Sequence, residues 1–449
     1  MNSIRLSALF LLVAFQGRGQ DQISPGTRIA DEMARSVRAE LLDKYYPGNT
    51  DTLYGGFITT YTYDFRPTGP QDKFLVTQAR HIWTTSKASL VYPEDVYYKT
   101  AARNGFLFLK DKMLDHQYGG FYSLVDRAGK DKSDILVPKD TYSNAFAIFA
   151  LSAYFGMSKD TAALALAKTA FYWLEKHSHD ARYSGYFQHL KRDGTPVTRS
   201  VTTASTSDIG YKDQNSSIHL LEAFTELYQV WPDPLVKNRL QEMLALVRDK
   251  ITSAKGSLTL FFTPDWQPVS YRDSSEAIIM KHRNLDHISA GHDVETAFLM
   301  LEASHVLGIK NDRATLAVAK RMVDHALKNA WDDSLGGFYD QAYYFSHKPG
   351  ITITRHSKNW WAQAEGLNTL LLMADLFPDD PMGYYDQFVK LWAYTSKYLI
   401  DHEHGDWYEE GLDGEPGRKT ALKAHIWKAT YHNYRSLSSC ISRLKSDGR

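Results

Sequence analysis

The segment GHDVE at residues 291–295 sets His292 and Glu295 three residues apart, at the head of the apolar run TAFLMLEASHVLG. On a helix that spacing puts both side chains on one face. There an imidazole moves protons near neutral pH, and a carboxylate can orient it. Similar polar sets open other apolar runs. NSSIHLLEA carries Asn215 and His219; QARHIW carries Arg80; TYSNAF carries Tyr142 and Asn144. WWAQAEG carries Trp361 and Glu365, and WKATYHN carries Trp427, His432 and Asn433. Gathered in one place, three imidazoles, a guanidinium, two carboxylates and indole faces suit proton transfer on a neutral polyol. His219–Glu222 and His292–Glu295 also resemble metal-ligand pairs. A dinuclear centre needs more carboxylates than these segments hold, and the zinc-protease spacing His-Glu-x-x-His is absent, so no metal is expected. Taken singly, each residue has a plainer use: a surface or core histidine among 17, a packing indole, a helix-surface arginine.

What raises these residues above that plain use is the framework that repeats around them. A Gly-x-aromatic unit recurs as YGGF (54–57), YGGF (118–121), SGYF (184–187), LGGF (335–338) and HGDW (404–407), with a weaker KGSL at 255–258. Its glycines at 55, 119, 185, 256, 336 and 405 are 64, 66, 71, 80 and 69 residues apart, which defines six units. Between them, three- and four-residue apolar spacing predicts twelve helices, at 28–47, 73–89, 93–114, 141–156, 159–177, 214–231, 234–254, 292–308, 311–329, 358–377, 381–401 and 420–446. The chain turns sharply after each even helix, often at proline as in WPDP and FPDDP, and wanders for about 20 to 40 residues after each odd one. Six hairpins with short turns on one face and long loops on the other predict an all-α (α/α)6 barrel. An open helical solenoid is the alternative. The polar sets fall in the even helices, mostly toward the end that meets the long loops, the face on which function is expected.

Composition narrows the partners. Lys+Arg and Asp+Glu are both 52, the net charge is zero, and no basic stripe suits a nucleic-acid backbone. With 43% hydrophobic residues the chain can bury a large core, and residues 20–449 are expected to form one catalytic domain. Residues 1–19 read as a cleaved secretory signal, with Arg5 before an apolar run from Leu6 to Phe15 that is too short to span a bilayer. The expectation is an exported, periplasmic or secreted protein with no stable membrane insertion. The single cysteine, Cys440, excludes an internal disulfide. Nothing in the sequence sets an oligomeric state.

The segments QARHIWTTS, NSSIHLLEAFTELY, GHDVETAFLMLEA, WWAQAEGLNTLL and WKATYHN, in that order, resemble the N-acylglucosamine 2-epimerase and cellobiose 2-epimerase family over nearly the whole chain. The resemblance implies an (α/α)6 barrel that inverts C2 of a reducing sugar without metal, nucleotide or other cofactor. The Tyr-His-Asn ending is similar to the cellobiose branch, so the implied substrate is a cellobiose- or mannobiose-type disaccharide. N-acylglucosamine epimerisation and aldose–ketose (mannose) isomerisation are the alternatives. By position, the resemblance makes His292 and His432 the two acid/base groups on opposite faces of C2, with Glu295 supporting His292. Arg80 would hold the developing oxyanion, and His219 would assist ring opening. Tyr142 and Asn215 would contact substrate, Trp361 and Trp427 would stack on sugar faces, and Glu365 would orient groups beside them. Such chemistry needs a base near neutral pKa and a cation at O1, because C2–H is acidic only beside an open aldehyde. Phe298 stands where the cellobiose branch usually has tryptophan, and Ala429–Thr430 replaces its Cys-Pro, departures expected to bear on the outer subsite. An inverting glycoside hydrolase using Glu295 and Glu365 would leave the histidines idle. A non-catalytic sugar-binding protein would need neither His292 nor His432.

Overall fold

The computed structural model describes residues 24–446, so the expected signal segment lies outside the described residues. Twelve long helices form six hairpins. The first of each pair are α1 (Pro25–Arg35), α3 (Val96–Phe108), α5 (Thr161–His177), α7 (Pro234–Leu246), α9 (Arg313–Asn329) and α11 (Tyr384–Tyr394). The even members are α2 (Leu75–Val91), α4 (Thr141–Ser158), α6 (Gln214–Val230), α8 (Ala290–Val306), α10 (Trp360–Leu376) and α12 (Tyr431–Ser446).

The two sets differ as their sequences dictate. In α9, Thr315, Ala319, Met322, Val323 and Ala326 are buried at three- and four-residue spacing, leaving a polar face to solvent. In α4 every residue from Thr141 to Tyr154 is buried, as an inner-ring helix requires. The inner helices pack in sequence, and α12 closes on α2, so the array is a ring and not an open solenoid. The outer α1 lies against α12 at the seam. There the Tyr45 hydroxyl reaches Asp406 at 2.8 Å, and Trp392 Nε1 donates to Glu32 at 3.0 Å. No helix among the described residues is long and apolar enough to cross a membrane.

The repeated glycines turn the long loops. Gly55, Gly119, Gly185, Gly256, Gly336 and Gly405 all have φ between +71° and +101°, the left-handed region that disfavours other residues. At Gly405 a Cβ would also lie 2.8 Å from the Glu40 carbonyl. A buried ion pair then ties five of the six loops to the approach of an inner helix. Lys73–Asp51 and Lys139–Asp115 are 3.0 Å apart, Lys212–Asp180 and Lys358–Asp332 2.7 Å, and Lys423–Asp401 2.6 Å. Between α7 and α8 the pair is absent, with Ser253 at the turn. There Asp293 instead fixes the loop, taking the Leu258 N–H at 2.9 Å as Gln78 takes that of Phe57. Successive loops are also stitched by short antiparallel strands, such as Lys73–Phe74 with Leu124–Val125.

Two expectations shift. The last inner helix begins at Tyr431, not at 420, because residues 421–430 are held by bridges such as Tyr61–Ala424 and His425–Lys428. The loop before α8 also contains a short helix, Glu276–Lys281, that the period did not reveal.

Candidate active site

All six inner helices send side chains to one pocket on the long-loop face. Arg80, Tyr142, Asn215, His219, His292, Glu295, Trp361 and His432 line it together with Trp360, and Trp427 reaches it from the loop ahead of α12, enclosing a cavity of about 170 Å³. Local signals set the register. Asp213 caps α6 by accepting from the Ser216 N–H at 2.8 Å, so Asn215 and His219, four residues apart, share the inward face. Two polar residues from the same segments are structural instead. Asn144 Oδ1 takes the Phe121 N–H at 2.9 Å, and Asn433 donates to Asp406 at 2.8 Å.

Each of the three imidazoles has its Nδ1 engaged away from the pocket, which leaves Nε2 for a substrate. His219 Nδ1 lies 2.9 Å from Glu222, His432 Nδ1 lies 2.7 Å from Glu365, and His292 Nδ1 lies 3.0 Å from the Ser289 hydroxyl. Ser289 precedes α8 but does not cap it; its side chain serves the histidine. The expected His292–Glu295 pair does not form. Glu295 turns inward to Arg435 at 2.7 Å and lies 4.0 Å from His432. Glu365 likewise stands behind His432, outside the pocket lining, and not beside the indoles. The Trp361 ring centre is 4.6 Å from that of His292 and 6.0 Å from that of His432, so the indole spans the two.

Arg435 organises the floor. Its guanidinium is 2.7 Å from both Glu295 and Glu365 and also bonds Glu222 and Tyr431. Burial alone would raise Glu222, but Arg435, His219 and Tyr431 outweigh it and hold the carboxyl down at about 2. Burial pushes Glu365 up, with Arg435 pulling the other way. Burial pushes His292 down to about 3, assisted by the neighbouring histidines. His432 is also depressed, by burial and by Arg80, while Glu295 works against the shift. His292 therefore rests neutral, the form that accepts a proton. Glu295, Glu365 and His432 lie within 4.8 Å of one another, close enough to share an ion. The guanidinium already supplies the positive charge between the two carboxylates, so the donor set does not suit a metal.

Across the pocket, Arg80 donates to the Trp427 carbonyl at 3.0 Å and lies 3.4 Å from the Tyr142 hydroxyl, whose pKa burial pushes up to about 12. Trp427 is 49% exposed, a rim residue on a loop and not part of an inner helix. Phe298 and Ala429–Thr430 do not reach this pocket. Phe298 faces the opposite end of the barrel, and Thr430 is buried against Thr84. Sequence reasoning missed Arg435, Ser289, Tyr431 and Trp360. Arg435 was findable, since it follows His432 by three residues on the same face of α12.

A closed (α/α)6 ring with three oriented imidazoles and a guanidinium around a small polar pocket defines a carbohydrate isomerase. The family described as N-acylglucosamine 2-epimerase (GlcNAc 2-epimerase) matches residues 56–436, and the chain belongs to it. The cellobiose 2-epimerase of Bacteroides fragilis is 28% identical over 421 residues, covering 93% of this chain and 98% of that protein. The D-mannose isomerase of Marinomonas mediterranea is 25% identical, covering 90% and 94%. The solved cellobiose 2-epimerase of Spirochaeta thermophila superposes with a TM-score of 0.78 at 28% identity, covering 95% of this chain and 99% of that one.

Proposed function

We propose that this chain epimerises C2 of the reducing-end sugar in a cellobiose- or mannobiose-type disaccharide. The observation that carries the reading is the difference in what stands behind His292 and His432. Ser289 offers His292 a neutral hydroxyl, which favours a neutral base able to take the C2 proton. Glu365 offers His432 a carboxyl group, and ionised it stabilises an imidazolium able to return a proton to the other face. Arg80 faces the charge that develops on O1 once the ring is open, and His219, backed by Glu222, assists the opening. Over one turnover the two rings exchange protonation states, so the reverse reaction runs with the roles reversed.

The activities of the relatives support this substrate class. The same site also suits an aldose–ketose isomerase, which differs by protonating C1, and the similarity to a D-mannose isomerase keeps that second reading. Hydrolysis fits poorly. Glu295 and Glu365 share one guanidinium within a 4.8 Å cluster, whereas glycosidase carboxyls flank the scissile bond. Export is part of the proposal, supported by Arg5 and the apolar run from Leu6 to Phe15.

Incubation with cellobiose, mannobiose, mannose and N-acetylglucosamine in D2O, followed by NMR, tests the reading. The expected result is an epimerised disaccharide carrying deuterium at C2. A ketose product redirects it to isomerisation, and cleavage without exchange overturns it.

A further inference from the structure

In α2, α4 and α10 the fourth residue is an amide, Gln78, Asn144 or Gln363, that anchors the loop leading into the helix. Each amide oxygen takes the N–H of the aromatic that ends the Gly-x-aromatic unit, Phe57 at 2.8 Å, Phe121 at 2.9 Å or Phe338 at 2.7 Å. Each amide nitrogen donates back to the carbonyl of that same residue, at 3.1, 3.4 and 3.0 Å. In α8 the fourth residue is Asp293, and its Oδ1 takes the N–H of Leu258, the last residue of KGSL. An ionised carboxylate cannot make the second bond, because it has no proton to donate.

Asp293 is fully buried, and its Oδ2 has no hydrogen-bond partner. A bare charge in the interior is costly, so the site calls for a cation or for a proton. This is the loop that lacks the buried lysine. Among the described residues, the only basic group within 4.0 Å is His325 of α9, whose Nδ1 stands 3.8 Å from Oδ2 and is also unpartnered. Its Nε2 lies 2.7 Å from the Tyr344 hydroxyl, and Lys255 sits 3.8 Å from the centre of the Tyr344 ring. Burial, with Lys255 adding to it, pushes His325 down to about 4, so this ring brings no positive charge, while burial pushes Asp293 up.

We propose that Asp293 is held as a neutral carboxylic acid that copies the amides of the other helices, and that it is a positioning residue for His292. Ser289, His292 and Asp293 share the start of α8, so ionising Asp293 unfastens the turn that carries the base. The catalytic half of this inference rests on the C2 chemistry proposed above.

Asp293→Asn keeps both bonds at every pH. Above the ordinary 3.8 the native chain holds a proton that the unfolded chain has lost, so the wild type loses stability as pH rises. Relative to the wild type, the unfolding constant of Asp293→Asn is expected to drop about tenfold per pH unit from about pH 4 upward, until Asp293 itself ionises, read from denaturant midpoints. The converse change, Gln78→Glu, is expected to import the same dependence into α2. Wild-type kcat is expected to fall in the alkaline range with KM level, and Asp293→Asn to lack that fall. A stability difference that does not change with pH overturns the proposal. So does an Asp293→Asn chain that fails to fold, or one that loses ground to the wild type as pH rises, the sign of an ion pair with His325. An alkaline fall in kcat shared by both chains overturns the positioning role. The stability arm needs no substrate, so its outcome is separate from that of the C2 reading.

Discussion

The partner behind each histidine ring carries a kinetic consequence at the scale of single residues. His432→Asn removes the proposed return donor but not the base. It is expected to keep C2 deuterium exchange in the epimer facing His292 while cutting epimer formation at least about 100-fold. His292→Asn is expected to lose that exchange, and NMR in D2O separates the two. Ser289→Ala frees the His292 ring and is expected to lower kcat about tenfold with little change in KM. Because burial depresses His292 to about 3, from the usual 6.5, its basic form persists as pH falls. Exchange at that epimer is expected to stay level from about pH 8 to about pH 5, and an inflection near 6.5 in the pH–rate profile contradicts it. The placement of the three histidines was legible in the sequence because the repeat aligns their helix starts. The partner of Glu295 was not, since Arg435 arrives from a helix 140 residues further on. Spacing within a segment says nothing about such a contact.

At the scale of elements, the loops owe their shape to left-handed glycines and to lysines sealed beneath them. Lys423 and Asp401 are both nearly fully buried. Lys423→Met strands a buried carboxylate and is expected to cost about 3–5 kcal/mol, read from the denaturant midpoint. These pairs also make the fold acid-sensitive. Burial would raise Asp51, but Arg127 and Lys73 outweigh it and hold the carboxyl at about 2. Its stabilisation is therefore complete above the ordinary 3.8 and is lost as pH falls through about 2. The glycine repeat and the alternation of short turns with long loops were readable from sequence. The ion pairs recur with the same repeat but were not singled out, because nothing local links a lysine to an aspartate some 20 residues away. The last inner helix was overextended at its start for a related reason: Trp427 and Ile426 continue the apolar spacing, while tertiary bridges hold them as loop.

For the whole molecule, helical period alone could not separate a ring from an open array, since both stack the same hairpins. Closure depends on α12 meeting α2 and on α1 filling the seam, contacts that join opposite ends of the described chain. That seam is held by side chains and hydrogen bonds, among them Tyr45–Asp406 and Trp392–Glu32, with no covalent link. α1 begins, and α12 ends, at the short-turn face. The order in which the six hairpins are strung is therefore a matter of connectivity more than of architecture. A circular permutant that joins Ser446 to Ser24 by a flexible linker, and opens instead at the exposed turn around Lys310 between α8 and α9, is expected to close the same ring and retain activity. Any of the six hairpins could then come first, and each would inherit the same neighbours.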